Sequence, residues 1–191
     1  MINLINTFCE EHKSADIWSN SPFKGVKELT NDHRGKLGEI IISQVFHYLN
    51  YNIDDDISDN NIKPDGHYDL KVEKQRVEVK TACAETTFQH EPLYRANVCD
   101  IVIFVDFTYD KYWISICKNN ELPLGKDSEI FGGAKGKHGT LRKNKDDGWK
   151  LDFSRAVINR FIKIDYARSF DENSSIQEIA NFINSWWKKN V

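Results

Sequence analysis

The chain has 191 residues, 40% hydrophobic and 29% charged, with a net charge of −3. That length sets the expectation of one domain, residues 1–191, with an ample core, and the acidic balance excludes a generic basic coat for nucleic acid. The longest apolar run, Ile101–Val105, has the length of a strand and not of a bilayer span; Glu10 and Glu11 follow the start in place of a basic-then-apolar leader, so a cytoplasmic protein without a membrane partner is expected.

Apolar spacing at Ile2, Ile5, Phe8 and Cys9 predicts a helix reaching to Trp18, with Pro22 and Gly25 in the loop after it. Asn31 and Asp32 offer an N-cap to a second helix over 33–48, whose apolar residues include Ile42, Val45 and Phe46. Residues 52–66 are polar and acidic and read as a loop. Two short strands follow, 67–72 and 76–82, joined by a tight turn near Glu73. Residues 85–97 read as a loop or short helix. Val98–Phe107 is a near-continuous apolar strand of the kind buried at a sheet centre, and Tyr112–Cys117 alternates as its hairpin partner. A glycine- and lysine-rich stretch begins at Gly132. Alternation at Trp149, Leu151 and Phe153, an edge element near Phe161–Ile164 and a C-terminal helix over 174–189 complete the pattern. The order implies an α/β (α+β) chain with a mixed sheet flanked by helices. The four cysteines lie far apart and form no C-x-x-C, so buried free thiols are expected.

One group of ionisable residues carries chemistry. On a strand, Glu78 and Lys80 project from one face. Asp69 lies on the preceding strand, across the predicted hairpin. Two carboxylates held this close resist one another unless a cation sits between them. An E-x-K triplet alone is uninformative, since Glu11-His12-Lys13 also satisfies it and charges alternating on a strand are most often a solvated face. Glu39, on the otherwise apolar second helix, adds a third acid; it either has a partner or reaches solvent from the boundary, because a buried lone carboxylate is costly.

The order helical Glu39, strand Asp69, then Glu78-Val79-Lys80 resembles the PD-(D/E)xK nuclease superfamily, with its restriction-endonuclease-like core, over about residues 33–107. The literal Pro64-Asp65 is too close to Asp69 to be the motif's first half; Tyr68-Asp69 takes that place, with tyrosine where the motif has proline. The resemblance implies magnesium held by Asp69 and Glu78, helped by the main-chain carbonyl of Val79. It implies that Glu39 binds a water or second metal, that Lys80 orients the attacking water, and that Gln89 or His90 stands at the rim. Hard oxygen ligands and incomplete protein coordination suit magnesium. His33 and Arg34 are weaker candidates for phosphate contact, as helix N-terminal polar residues are usually just exposed.

From Lys135 to Lys145 the chain carries Lys135, Lys137, Arg142, Lys143 and Lys145 with no acid, and His138 adds hydrogen-bonding capacity. A charge run is usually solvated, but beside a nuclease-like motif it reads as a contact to double-stranded DNA, with Tyr94 and Arg95 as weaker additions. The resulting expectation is a homodimeric, magnesium-dependent DNA endonuclease most like a small type II restriction enzyme. The competing readings are a structure-specific nuclease (junction resolvase, repair or phage defence) and a non-cutting nuclease-fold subunit.

Overall fold

The computed structural model describes residues 18–54, 68–83, 88–90, 99–121, 139–143, 149–153 and 166–191. The predicted hairpin forms the part of the sheet that matters most. Strand β2 (Leu70–Val72) pairs antiparallel with β3 (Gln75–Cys83), with Leu70 opposite Val77 and Val72 opposite Gln75. The turn is two residues, Glu73 and Lys74, shorter than the sequence suggests, and Glu73 takes a positive φ of 55° as tight hairpin turns require. A short β1 (Ile53–Asp54) pairs with β2, within a stretch expected to be loop; its polar composition hides a two-residue bridge.

On its other side β3 runs parallel to β5 (Ile101–Phe107), which pairs antiparallel with β6 (Tyr112–Lys118), and β6 with β9 (Ala167–Phe170). The six strands lie in the order β1-β2-β3-β5-β6-β9. This is the mixed sheet flanked by helices that the element order implies. All seven residues of β5 are buried, Asp106 among them, as its near-continuous apolar pattern predicts for a central strand.

Helix α2 (Asn31–Tyr48) lies against β3 and follows a short helix α1 (Lys24–Glu28). Gly25 therefore sits in a helix and not in the expected loop. The cap of α2 is Thr30, whose Oγ1 accepts from His33 N at 3.3 Å, so Asn31 and Asp32 are the first helical residues instead of caps. The C-terminal helix α3 (Ile176–Asn190) opens on a capping box between Ser175 and Glu178. Ile42, Val45 and Phe46 of α2 and Ile183, Trp186 and Trp187 of α3 bury one sheet face, formed by Leu70, Val77, Val79, Ile103, Val105 and Ile114. Gly38 allows the approach: a β-carbon there would stand 1.9 Å from Thr81 Oγ1 on β3. The opposite face of β5 and β6, bearing Val102, Phe104 and Cys117, is buried as well.

A second, three-stranded antiparallel sheet has the order β4-β8-β7, from β4 (Phe88–His90), β7 (Gly139–Lys143) and β8 (Trp149–Phe153). Within 85–97, expected to be loop or short helix, the described residues 88–90 form strand β4, and β7 gives strand structure to part of the basic stretch. The expected helix from Ile2 to Trp18 lies outside the described residues except for Trp18, which stands in a turn, and the edge element near 161–164 lies outside them as well. Among the described residues no helix is long and apolar enough to cross a membrane.

Candidate active site

Asp69 stands where β2 peels away from β3. Its N–H donates to Val77 O at 3.0 Å, one residue out of the Leu70–Val77 register, and its Oδ2 accepts from Val79 N at 2.7 Å. The side chain thus takes the place that a backbone carbonyl would fill if the pairing ran on. This charged hydrogen bond fixes the carboxylate beside the first half of Glu78-Val79-Lys80.

Glu78 and Lys80 share the sheet face turned away from α2, by the two-residue repeat of β3. Glu78 is buried, 6% exposed, and its Oε1 forms an ion pair with Lys80 Nζ. Burial pushes the Glu78 carboxyl up to about 7 from its ordinary 4.5, and the charge of Asp69 pushes the same way. The Lys80 ammonium opposes both, and Glu39 adds a smaller upward push. Lys80 itself is held above its ordinary value: burial works to lower it, but the carboxylates of Glu78 and Asp69 outweigh that. Two acids and one ammonium therefore lie close together, with Glu78 buried and Asp69 and Lys80 half-buried.

Glu39 is half-buried and pairs with Lys36 at 3.6 Å, one turn back on α2. It is also within electrostatic range of Glu78. Among the described residues no three His, Cys, Asp or Glu side chains stand grouped as metal ligands. Asp69 and Glu78 nevertheless fit a hard divalent cation by donor type, being carboxylates set close together.

Other predicted residues fall elsewhere. Arg34 is buried: its guanidinium donates to the carbonyls of Leu29 (2.9 Å), Val26 (3.4 Å) and Lys27 (3.4 Å) and to Asn31 Oδ1 (3.2 Å). It closes the end of α1 onto α2 and is not available to phosphate, whereas His33 is exposed. Gln89 and His90 lie on β4, which adjoins β3 but belongs to the second sheet. Arg142 and Lys143 lie on β7. Lys135, Lys137, His138 and Lys145, with Tyr94 and Arg95, are outside the described residues.

Two neighbours of the site carried no sequence signal. Cys99, buried just before β5, feels the charges of Glu78 and Lys80, and burial raises its thiol to about 12. Asp100 takes Arg76 in a two-pronged pair, Nε to Oδ2 at 3.1 Å and Nη2 to Oδ1 at 2.9 Å, and also accepts Arg76 N at 2.8 Å. This clamp sits at the start of the β3–β5 pairing, next to the first matched pair, Val77 and Ile101.

The Glu78 shift has a measurable consequence. An acid whose folded value lies above its unfolded one favours the folded state most when protonated, so stability falls as pH rises from about 4.5 through about 7. In EDTA, Glu78→Gln should match the parent in thermal melts near pH 5. It should melt higher by roughly 3–6 °C at pH 8, where the parent carries a buried charge. A gain that is the same at both pH values would contradict the shift.

No family model matches the chain, and no curated protein matches it. Among solved structures the chain is similar to one described as a restriction endonuclease in complex with substrate DNA, at 15% identity and a TM-score of 0.44, covering 81% of this chain and 80% of that one.

Proposed function

We propose that this protein is a magnesium-dependent endonuclease of the PD-(D/E)xK kind, cutting double-stranded DNA in the manner of a type II restriction enzyme. The observation that carries the reading is the Asp69 carboxylate bonded to the N–H of Val79, the residue between Glu78 and Lys80, with Lys80 ion-paired to Glu78. A buried carboxylate with a second one close by is more often found at a functional site than in a purely structural one.

In this reading Asp69 and Glu78 hold the divalent cation, with the Val79 carbonyl beside them. When bound, the cation supplies charge neutralisation at the scissile phosphate and lowers the pKa of a coordinated water. Asp69 contributes the carboxylate oxygen not engaged by Val79 N. Glu78 contributes a carboxylate that gives up its proton near neutral pH. Lys80 swings its ammonium from Glu78 to the attacking water and to the phosphate oxygen where negative charge grows. Glu39, one helix away, completes the acidic environment through water. The products are a 5′-phosphate and a 3′-hydroxyl. A homodimer places two such sites on the two strands of a duplex.

The test is incubation with unmodified plasmid and phage DNA, in magnesium and in EDTA, followed by end mapping. Discrete fragments in magnesium only are the expected result. Cutting confined to branched substrates would favour a structure-specific nuclease, and no cutting of any DNA would leave a non-catalytic binding role.

A further inference from the structure

Strand β2 carries one charge to which the site described above gives no role. Leu70 and Val72 are buried in the core, so Lys71 between them lies on the other face of the sheet, where it is exposed. The same alternation holds along β3: Val77 and Val79 enter the core, and Arg76, Glu78 and Lys80 share the outer face. Lys71 is opposite Arg76 in the register. Along the strands the outer face therefore presents Lys71 beside Arg76, then Glu78 with the Asp69 carboxylate held at Val79 N, then Lys80. The acidic pair is flanked by cations on both sides, each about 6.6 Å away along the strand by its rise per residue. Cys99, ahead of β5, feels the charges of Arg76, Glu78 and Lys80 alike, which fits their sharing one face.

Arg76 and Lys71 differ in how they are engaged. Arg76 is held by Asp100 in the two-pronged pair described above. Lys71 has no ion-pair partner among the described residues: Asp54 of β1 stands opposite it in the register and is exposed as well, yet the two form no ion pair. Setting Lys71 against Arg76 adds no stability, since like charges directly opposite on neighbouring strands repel. An anion lying over β2 and β3 would relieve that repulsion.

We propose that Lys71 contacts the DNA phosphate adjoining the scissile one, on the side of the acidic pair away from Lys80, so that the cut strand runs along β2 and β3. The inference rests on the nuclease reading above and adds to it a substrate contact outside the set of Glu39, Asp69, Glu78 and Lys80. Every nucleotide brings a negative phosphate, so a backbone laid over two carboxylates meets repulsion at more than the reacting group. A cation held by Asp69 and Glu78 offsets it at the scissile phosphate. The adjoining phosphate is left to the protein, and Lys71 is the exposed cation on that side. A lysine suits the task, because its ammonium is a point charge on a flexible stem and follows a phosphate without a fixed geometry.

The experiment first maps the cleavage site on unmodified DNA with the full chain in magnesium. Duplexes carrying that site are then made with a neutral methylphosphonate in place of one phosphate, next to the scissile one on either side. Binding is read by fluorescence anisotropy in calcium across a salt series, and cleavage in magnesium. Lys71→Gln should weaken binding to the all-phosphate duplex about 5- to 30-fold and reduce the slope of log affinity against log salt by about one, with kcat within about threefold of the parent. A methylphosphonate at one of the two adjoining positions should weaken the parent by a similar factor. It should weaken Lys71→Gln by less than about twofold further, because variant and linkage remove the same contact. Lys71→Arg should bind as the parent does. Lys188→Gln, exposed on α3 across the sheet, should stay within about twofold of the parent. Melting curves accompany each variant, and Lys71→Thr, a good strand former, replaces Lys71→Gln if that variant fails to fold. A salt slope unchanged by loss of the charge at 71, or losses from the variant and from both adjoining methylphosphonates that add in full, overturns the contact while the nuclease reading stands on the parent's cutting. A parent chain that cuts no DNA in magnesium overturns the nuclease reading and the contact with it.

Discussion

Asp69→Ala and Glu78→Ala should each reduce magnesium-dependent DNA cleavage by at least about a thousandfold, a loss of ~4 kcal/mol in barrier lowering. The two residues are not redundant. Asp69 is fixed by its hydrogen bond from Val79 N at 2.7 Å, so removing it frees that N–H and, in the proposed reading, takes one ligand from the cation. Glu78 is the buried member of the pair, and its loss leaves the Lys80 ammonium with Asp69 alone. Neither side chain belongs to the apolar core, so both variants should fold, and circular dichroism melts separate a catalytic loss from an unfolded chain. Lys80→Ala should slow cleavage comparably while sparing calcium-supported DNA binding, since in the proposed reading its charge serves the reacting phosphate. Asp65→Ala distinguishes the two possible placements of the motif: cleavage should persist, because the hairpin gives the role to Asp69. Full activity in either the Asp69 or the Glu78 variant would remove this site from the reaction.

The second large effect is on stability. Gly38→Ala should destabilise the fold by about 2–3 kcal/mol, roughly 5–10 °C in melting temperature for a chain of this size. A β-carbon at position 38 meets Thr81 Oγ1 at 1.9 Å and Thr81 Cβ at 3.2 Å. The hydroxyl alone could rotate away, but the second contact remains, so α2 must lift from β3. Thr81 Oγ1 is buried with no hydrogen-bond partner among the described residues, so it holds no bond that opposes its removal. The double variant Gly38→Ala with Thr81→Ala should therefore recover most of the loss, with a coupling energy of about 1–2 kcal/mol in a double-mutant cycle. Additive losses would mean that the contact is not the cause. Because Glu39 follows Gly38 directly, the single variant should also disturb the charge environment of Glu78.

What the sequence discloses follows from how each feature is encoded. The hairpin, α2, β5, β6 and α3 are long or strongly periodic, and the expected boundaries lie within a few residues of those observed. The nearness of Asp69 to Glu78 is legible because a short turn leaves one register that keeps Leu70, Val72 and Val77 on the core face. Strand β4 is three residues long, too short to show a period, and glycines and lysines obscure the start of β7. The burial of Arg34 depends on where α1 ends, which no local pattern states. The clamp between Arg76 and Asp100 and the nearness of Cys99 to Glu78 arise only when β5 docks parallel to β3, and parallel neighbours leave no mark on either strand's sequence.

That parallel docking bears on the order in which the chain acquires its properties as it folds. The hairpin joining Asp69 and Glu78 closes a contact between near neighbours, an event of microseconds. Its pairing with β5 brings together residues such as Arg76 and Asp100, 24 positions apart, and waits on closure of a longer loop. A nascent chain thus carries both carboxylates side by side before it carries their environment. Until Ile101–Phe107 arrives, Glu78 is an ordinary solvated acid; afterwards it is a buried one that titrates near neutrality. The acidic pair is a local product of the sequence, and its chemical character is conferred later, by a strand that contributes no charge of its own opposite Glu78, only Val102.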